Sequence, residues 1–287
     1  MGMLSAIFQA IIQGLTEFLP VSSSGHLSLY QHFTGNSGEG ALFFSAVLHL
    51  GTLLAVFIAF RQRIMRMIKE FFSMCGDIVH KEFSLKKANG DRRMVVMIIV
   101  STLCLLPFAI FKGWFESVAE DSSIFAEGIC FLYTAAILYL STKCMNGRKK
   151  AENITGKDSI IVGLFQGVAL LPGVSRSGST ISAGLFCGFT RQTAVEYSFI
   201  LGIPAILAGC LSELIKALKE HAAIEWGNCL VGFVVAAAVG LGAIKLIAWL
   251  VKSDRFRIFA YYTLVLGGVV LLLSIVEAIS GKPISFA

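Results

Sequence analysis

The sequence predicts an all-α integral membrane protein, an inverted-topology repeat of six transmembrane helices plus two re-entrant helical hairpins. Three observations predict it. Of the 287 residues, 56% are hydrophobic and only 15% are charged, with a mean hydropathy of +0.77; a soluble domain carries roughly 25% charge. Several apolar runs approach or exceed the ~20 residues that cross a bilayer as a helix. A Gly/Ser-rich polar motif also occurs twice, at an offset of 153 residues. So few charges cannot cover a water-facing surface, which excludes a soluble enzyme, a disordered chain and a nucleic-acid-binding domain. The net charge of +6 and pI near 9.0 reflect basic residues gathered in a few loops between apolar runs.

The six expected spans are Ala41–Phe60, Met94–Phe111, Ile124–Thr142, Tyr197–Leu218, Asn228–Val251 and Ile258–Ser280. The loop Arg61–Arg93 holds nine Lys/Arg, Lys143–Asp158 holds five, and the turn Lys252–Arg257 holds three. Lys112–Ser123 instead carries Glu116, Glu120 and Asp121 against one lysine. The positive-inside rule puts the basic loops in the cytoplasm and the acidic loop outside, with the C-terminus outside as well. The first residues lack a basic stretch and include Glu17, so no cleavable signal is expected. The seven cysteines form no CxxC pair and read as small hydrophobes within helices.

Two shorter apolar stretches, 3–19 and 159–171, run into polar tips, Pro20–His26 and Pro172–Thr180. The second is too short to span, so re-entrant hairpins are expected; the first alone could just reach across. QGLTEFLPVSSSGHL (13–27) aligns without gaps with QGVALLPGVSRSGST (166–180), and the same offset pairs Phe44-Ser45 with Tyr197-Ser198. The chain therefore reads as one membrane domain of two repeats, 1–150 and 151–287, each a hairpin plus three spans. Three spans is an odd number, so the halves are oppositely oriented and their tips can meet at mid-membrane.

Glu17 is the chemical oddity, because an ionised carboxylate at bilayer depth costs about 2.5–3.5 kcal/mol. It needs a partner or a cation. Gln9, Gln13 and Glu17 share one helix face, and oxygen donors of this kind suit Mg²⁺, which takes one or two carboxylates plus phosphate oxygens. The bland alternative is that Glu17 pairs with Arg176 as structural glue. His26 follows three serines and can pass a proton at neutral pH, with Ser22, Ser23 and Ser24 within a turn of it. Serines that merely satisfy backbone groups in the turn are the alternative for at least one of the three. Arg176 offers phosphate a planar fork. Ser179 or Thr180 can cap the following helix, whose N-terminus favours an anion. His32, His49, His80 and His221 receive no role.

At these motifs the sequence resembles the undecaprenyl-diphosphate phosphatase family, the bacitracin-resistance proteins. That family carries (E/Q)xxxE running into a Ser-rich turn with a histidine, then PGxSRSxxT. Here they read Gln13-Gly-Leu-Thr-Glu17, Ser22-Ser23-Ser24-Gly-His26 and Pro172-Gly-Val-Ser175-Arg176-Ser177-Gly-Ser-Thr180. The resemblance covers the whole chain, and the two motifs together are highly specific. It implies a multi-pass plasma-membrane enzyme with its site facing the outer side, which removes the terminal phosphate of undecaprenyl diphosphate and recycles the lipid carrier of peptidoglycan synthesis. It also implies a divalent cation, Mg²⁺ or Ca²⁺ in its place, held by Glu17 and Gln13. Gln13 stands where many members have glutamate, which removes one negative charge from the site. By the same resemblance Arg176 clamps the phosphoryl group with Ser22, Ser175, Ser177 and Thr180, Ser23 is the nucleophile and His26 its proton acceptor. Attack by water activated by His26 or Glu17 stays open. Further partners expected are membrane lipids and a second copy of the chain, with no nucleic acid. The runner-up is a transporter or flippase of a phosphorylated polyprenyl lipid, since inverted repeats with broken helices are common in transporters.

Overall fold

The computed structural model describes residues 2–35, 41–85, 88–111, 113, 123–219, 224–253, 255–282 and 284. Glu116, Glu120, Asp121, Lys86, Lys87 and His221 lie outside the described residues.

Twelve α-helices make up the described chain: α1 Met3–Thr16, α2 Ser23–Thr34, α3 Ala41–Ala59, α4 Arg61–Val79, α5 Gly90–Leu103, α6 Leu106–Ala109, α7 Phe125–Ser141, α8 Gly156–Val168, α9 Arg176–Phe186, α10 Arg191–Lys219, α11 Trp226–Lys252 and α12 Arg257–Ser280. Among the described residues, four stretches are long and apolar enough to cross a bilayer, Phe125–Cys144, Arg191–Ala217, Trp226–Lys252 and Arg257–Ser280. A fifth is added if α3 and α4 count as one bent span. The protein is an integral membrane protein, and exposed Leu230, Val234, Val265 and Leu272 form part of its apolar exterior.

Two expectations are corrected. The run Met94–Phe111 is not one helix. α5 ends at Leu103 after 14 residues, about 21 Å at 1.5 Å per residue, and a four-residue helix with Pro107 in its first turn follows. Proline supplies no backbone donor to the preceding turn, so the ladder breaks there. The segment Arg61–Arg93 is not simply a loop. Its first 19 residues form α4, bent 87° from the end of α3. Ile64, Met67 and Met74 of α4 are buried, while Met65, Ile68, Phe71 and Phe72 are exposed. That is the pattern of a helix lying in an interface plane. Arg92 ties it to α5 through Glu70 at 2.9 Å and Asp77 at 2.5 Å.

Each expected hairpin is a helix, a non-helical turn and a second helix, α1–α2 and α8–α9. α1 packs on α11 and α8 packs on α5, so each hairpin rests on a helix of the other half; α7 packs along α12. α8 starts at a capping box in which Thr155 accepts from the Asp158 amide and Asp158 accepts from the Thr155 amide. Lys149 adds bonds to Asp158 at 2.9 and 3.1 Å. Burial alone would push the Asp158 carboxyl up; Lys149 and Thr155 outweigh it and hold the carboxyl below its ordinary range. A buried polar knot joins α5, α8 and α10, where the Tyr197 hydroxyl meets Met97 O at 2.7 Å and Ser101 Oγ at 2.8 Å. Ser101 also donates to Ser159 O at 2.6 Å. Such groups tolerate burial because each has a partner.

Candidate active site

The two tips come together. α1 ends before Glu17, and the chain turns at Pro20 into α2, whose N-cap Ser22 accepts from the Gly25 amide at 3.2 Å. α8 ends before Ala169, and the chain turns through Gly173 into α9, whose N-cap Ser175 accepts from the Gly178 amide at 3.0 Å. Gly173 has φ +88, a conformation that glycine adopts at no steric cost. Ser22 holds φ +73 with a full side chain, the kind of backbone strain that collects at functional sites. Ser177 Oγ donates to Leu19 O at 3.3 Å, and the Gly173 amide donates to Ser24 Oγ at 3.4 Å.

Glu17 is the centre of the junction and is only 7% exposed. Arg176 Nη2 donates to its Oε1 at 2.6 Å. Ser23 Oγ donates to Oε2 at 2.8 Å, and Gln13 Nε2 donates to the same oxygen at 3.0 Å. His49 Nε2 lies 3.8 Å from Oε2. An isolated buried carboxylate is costly; this one carries a guanidinium and two further donors. Arg176 reaches it by lying against α10. Its Nη1 donates to Ser198 O at 3.4 Å, and a Cβ at Gly202 would collide with its guanidinium. Glycine at 202 is thus what lets the arginine lie flat.

A cavity of about 540 Å³ opens at this junction, lined by Glu17, Ser22, Ser23, Ser24, Ser175, Arg176 and Ser177 among others. Of the sequence-derived candidates, Gln13, His26 and Thr180 do not line it. Gln13 is fully buried behind Glu17. Thr180 lies inside α9, where it bonds Arg176 O at 2.9 Å and Ser198 Oγ at 2.6 Å. The cap is therefore Ser175 rather than Ser179 or Thr180. His26 is turned away from Ser23. Its Nδ1 meets Ser22 O at 2.7 Å and its Nε2 meets the Tyr262 hydroxyl at 2.6 Å. A carbonyl can only accept, so Nδ1 carries the proton and Nε2 accepts from Tyr262. The two rings stack at 7°. Ser23 is paired with Glu17 instead of His26, and Glu17 is also paired with Arg176.

The cavity also holds residues that the motifs did not reveal: His49, Glu127, Gln166 and Glu213. Glu127 accepts from Ser28 at 2.8 Å. Gln166 is 2% exposed, and neither end of its amide has a hydrogen-bond partner. Three carboxylates around one arginine make a poor seat for a polyanion without a cation. Among the described residues no three His, Cys, Asp or Glu side chains converge as a metal cage. Of the two expected metal ligands only the Glu17 carboxylate lines the cavity, where it fits a hard cation beside a phosphate ligand; Gln13 Oε1 is buried behind it and has no hydrogen-bond partner among the described residues.

Fold and site together define a helical membrane protein with a buried acid–arginine–serine centre where two broken helices meet. The chain matches the family described as Bacitracin resistance protein BacA over residues 6–269, and it belongs to that family. It is similar to the undecaprenyl-diphosphatase of Alkaliphilus metalliredigens, 38% identical over 94% of this chain and 98% of that one. The undecaprenyl-diphosphatase of Methanobrevibacter smithii is 39% identical over 96% and 99%, and that of Desulfosudis oleivorans 39% over 93% and 97%.

Proposed function

We propose that the protein hydrolyses undecaprenyl diphosphate to undecaprenyl phosphate and inorganic phosphate, recycling the lipid carrier of peptidoglycan synthesis and giving bacitracin resistance. Its place is the plasma membrane, with the cavity open to the outer side; the positive-inside reading of the basic loops supports that orientation. The exchanged packing of α1 on α11 and α8 on α5 supports the two-repeat reading. The observation that carries the function is the Glu17 carboxylate, held between Ser23 at 2.8 Å and Arg176 at 2.6 Å in a cavity.

In this reading Arg176 exchanges Glu17 Oε1 for oxygens of the terminal phosphate, a match for its fork. Ser23 gives its proton to Glu17, the acceptor it already faces, and its Oγ forms a bond to the terminal phosphorus. The bond from that phosphorus to the bridging oxygen breaks, and undecaprenyl phosphate leaves. Water then cleaves the phosphoserine, releasing inorganic phosphate and restoring Ser23. Mg²⁺ held by Glu17, with Gln13 behind it, would supply neutralisation of the diphosphate charge. His26, locked to Tyr262 and Ser22, fixes the strained turn that presents Ser23.

Phosphate release from undecaprenyl diphosphate by the purified protein in detergent, with and without Mg²⁺, tests this. Release that rises with Mg²⁺ is expected. A folded preparation that binds the lipid and releases no phosphate in either condition would overturn the hydrolase and favour transport.

A further inference from the structure

A second cavity, of about 1060 Å³, lies at the elbow where α3 turns into α4 and shares no residue with the catalytic cavity. Six cationic side chains line it: Arg61, Arg63, Arg66, Lys150, Arg191 and Lys252. Glu196 is the one acid in the lining, and Arg63 already faces it at 3.4 Å. Arg63 and Arg66 also hold Asp91, and Arg191 donates to the carbonyls of Met145 and Val251. The side chains of Arg61, Lys150 and Lys252 are exposed and make no hydrogen bond or ion pair among the described residues. Such a concentration of positive charge at one mouth attracts a polyvalent anion. Phe60, Val195 and Val251 give the cavity an apolar wall.

An apolar crevice of about 490 Å³ borders the same elbow. Phe57 from α3, Ile64, Met67 and Ile68 from α4, and Ile200 and Ile203 from α10 line it. The first turns of α4 therefore offer cations to one hollow and hydrocarbon to the other, at the end of the apolar helix α3 and along the helix bent 87° from it. A free anion needs only the first hollow, whereas an anionic phospholipid needs both.

We propose that the α3–α4 elbow is a binding site for an anionic phospholipid, its phosphate headgroup in the basic cavity and an acyl chain in the apolar crevice. Basic pockets between membrane helices on a cytoplasmic face are a recognised setting for such headgroups.

The test is thermal unfolding of the full-length protein in detergent, titrated with phosphatidylglycerol or with phosphatidylcholine of the same acyl chains. Phosphatidylglycerol should raise the wild-type midpoint by several degrees more than phosphatidylcholine does. The triple variant Arg61→Ala, Lys150→Ala, Lys252→Ala should need at least tenfold more phosphatidylglycerol for the same rise. The charge-keeping triple Arg61→Lys, Lys150→Arg, Lys252→Arg should respond like wild type. If the alanine triple does not fold, the single variants Lys150→Ala and Lys252→Ala should each weaken the response several-fold. A response to phosphatidylglycerol unchanged in the alanine variants would overturn the proposal, as would an equal response to phosphatidylcholine. A rise of the same size with soluble glycerol phosphate would assign the cavity to a free phosphate anion and overturn the lipid.

Discussion

Ser23 and Arg176 occupy the same place in the two halves of the chain and grip the same carboxylate. The offset of 153 residues pairs them, each is the first residue of the helix leaving its tip, and both hydrogen-bond Glu17. In the proposed two-repeat reading these are equivalent positions, one of which carries a hydroxyl and the other a guanidinium.

Arg176→Lys keeps the charge and loses the fork. Phosphate release should fall at least tenfold, equivalent to ~1.4 kcal/mol of transition-state stabilisation. Turnover close to wild type would remove Arg176 from the phosphate clamp.

The pairing of Ser23 with Glu17 separates two roles assigned to the first tip. Ser23→Ala should abolish turnover while lipid binding persists, and Glu17→Gln should be equally severe, with the double variant no worse than either. His26→Ala and Tyr262→Phe should both lower kcat by similar, smaller factors, on the order of 10-fold, because each loosens the same turn. Steady-state kinetics decide it: a tenth or more of wild-type turnover in Ser23→Ala would end the covalent serine.

Gly202→Ala places a methyl group where the Arg176 guanidinium lies. The arginine must shift or the helices must part, so activity should drop by 10-fold or more with little change in the unfolding midpoint. An undisturbed rate would mean that the arginine does not need this groove.

Asp158 links stability to pH. Its carboxyl is held below the ordinary range by Lys149 and Thr155 against the effect of burial. A depressed carboxylate stabilises fully above its unfolded value near ~4 and loses that contribution as pH falls through its lower folded value. Asp158→Ala should cost about 1 kcal/mol at neutral pH, and the gap from wild type should close on acidification. Thermal scans from neutral pH to pH ~3 follow it; a gap that stays constant would contradict the assigned pairing.

Much of the site was legible because its residues sit inside two local motifs. Glu17, Ser23 and Arg176 announce themselves by polarity beside apolar runs. His49 did not, because one histidine within the apolar helix α3 gives no local sign that it will face Glu17. The repeat offset pairs it with Gly202, beside the matched Ser45 and Ser198, and that was the one available hint. Tyr262 is 236 residues from His26, and no periodicity encodes that contact. Proximity in sequence misled at His26, since a turn that places Ser23 three residues away also lets each side chain point elsewhere. The break at Pro107 was readable in principle, because a proline inside an apolar run argues against an unbroken helix. The basic segment hid α4 because its Lys and Arg residues interrupt the apolar ones and break any continuous apolar run, although Ile64, Met67 and Met74 recur at helical spacing.

A carboxylate seated on a guanidinium is a fair imitation of a phosphate, so the resting protein already carries an internal surrogate for its ligand. On the proposed mechanism binding is an eviction, and the evicted group stays tethered nearby. On the same mechanism Glu17 would return to Arg176 after the reaction and compete directly with inorganic phosphate for the same fork, speeding release and resetting the catalyst. Weak product inhibition in the wild type and tighter retention of inorganic phosphate by Glu17→Gln, measured by equilibrium binding, would be its signature; equal phosphate affinity in the two proteins would deny the carboxylate this part.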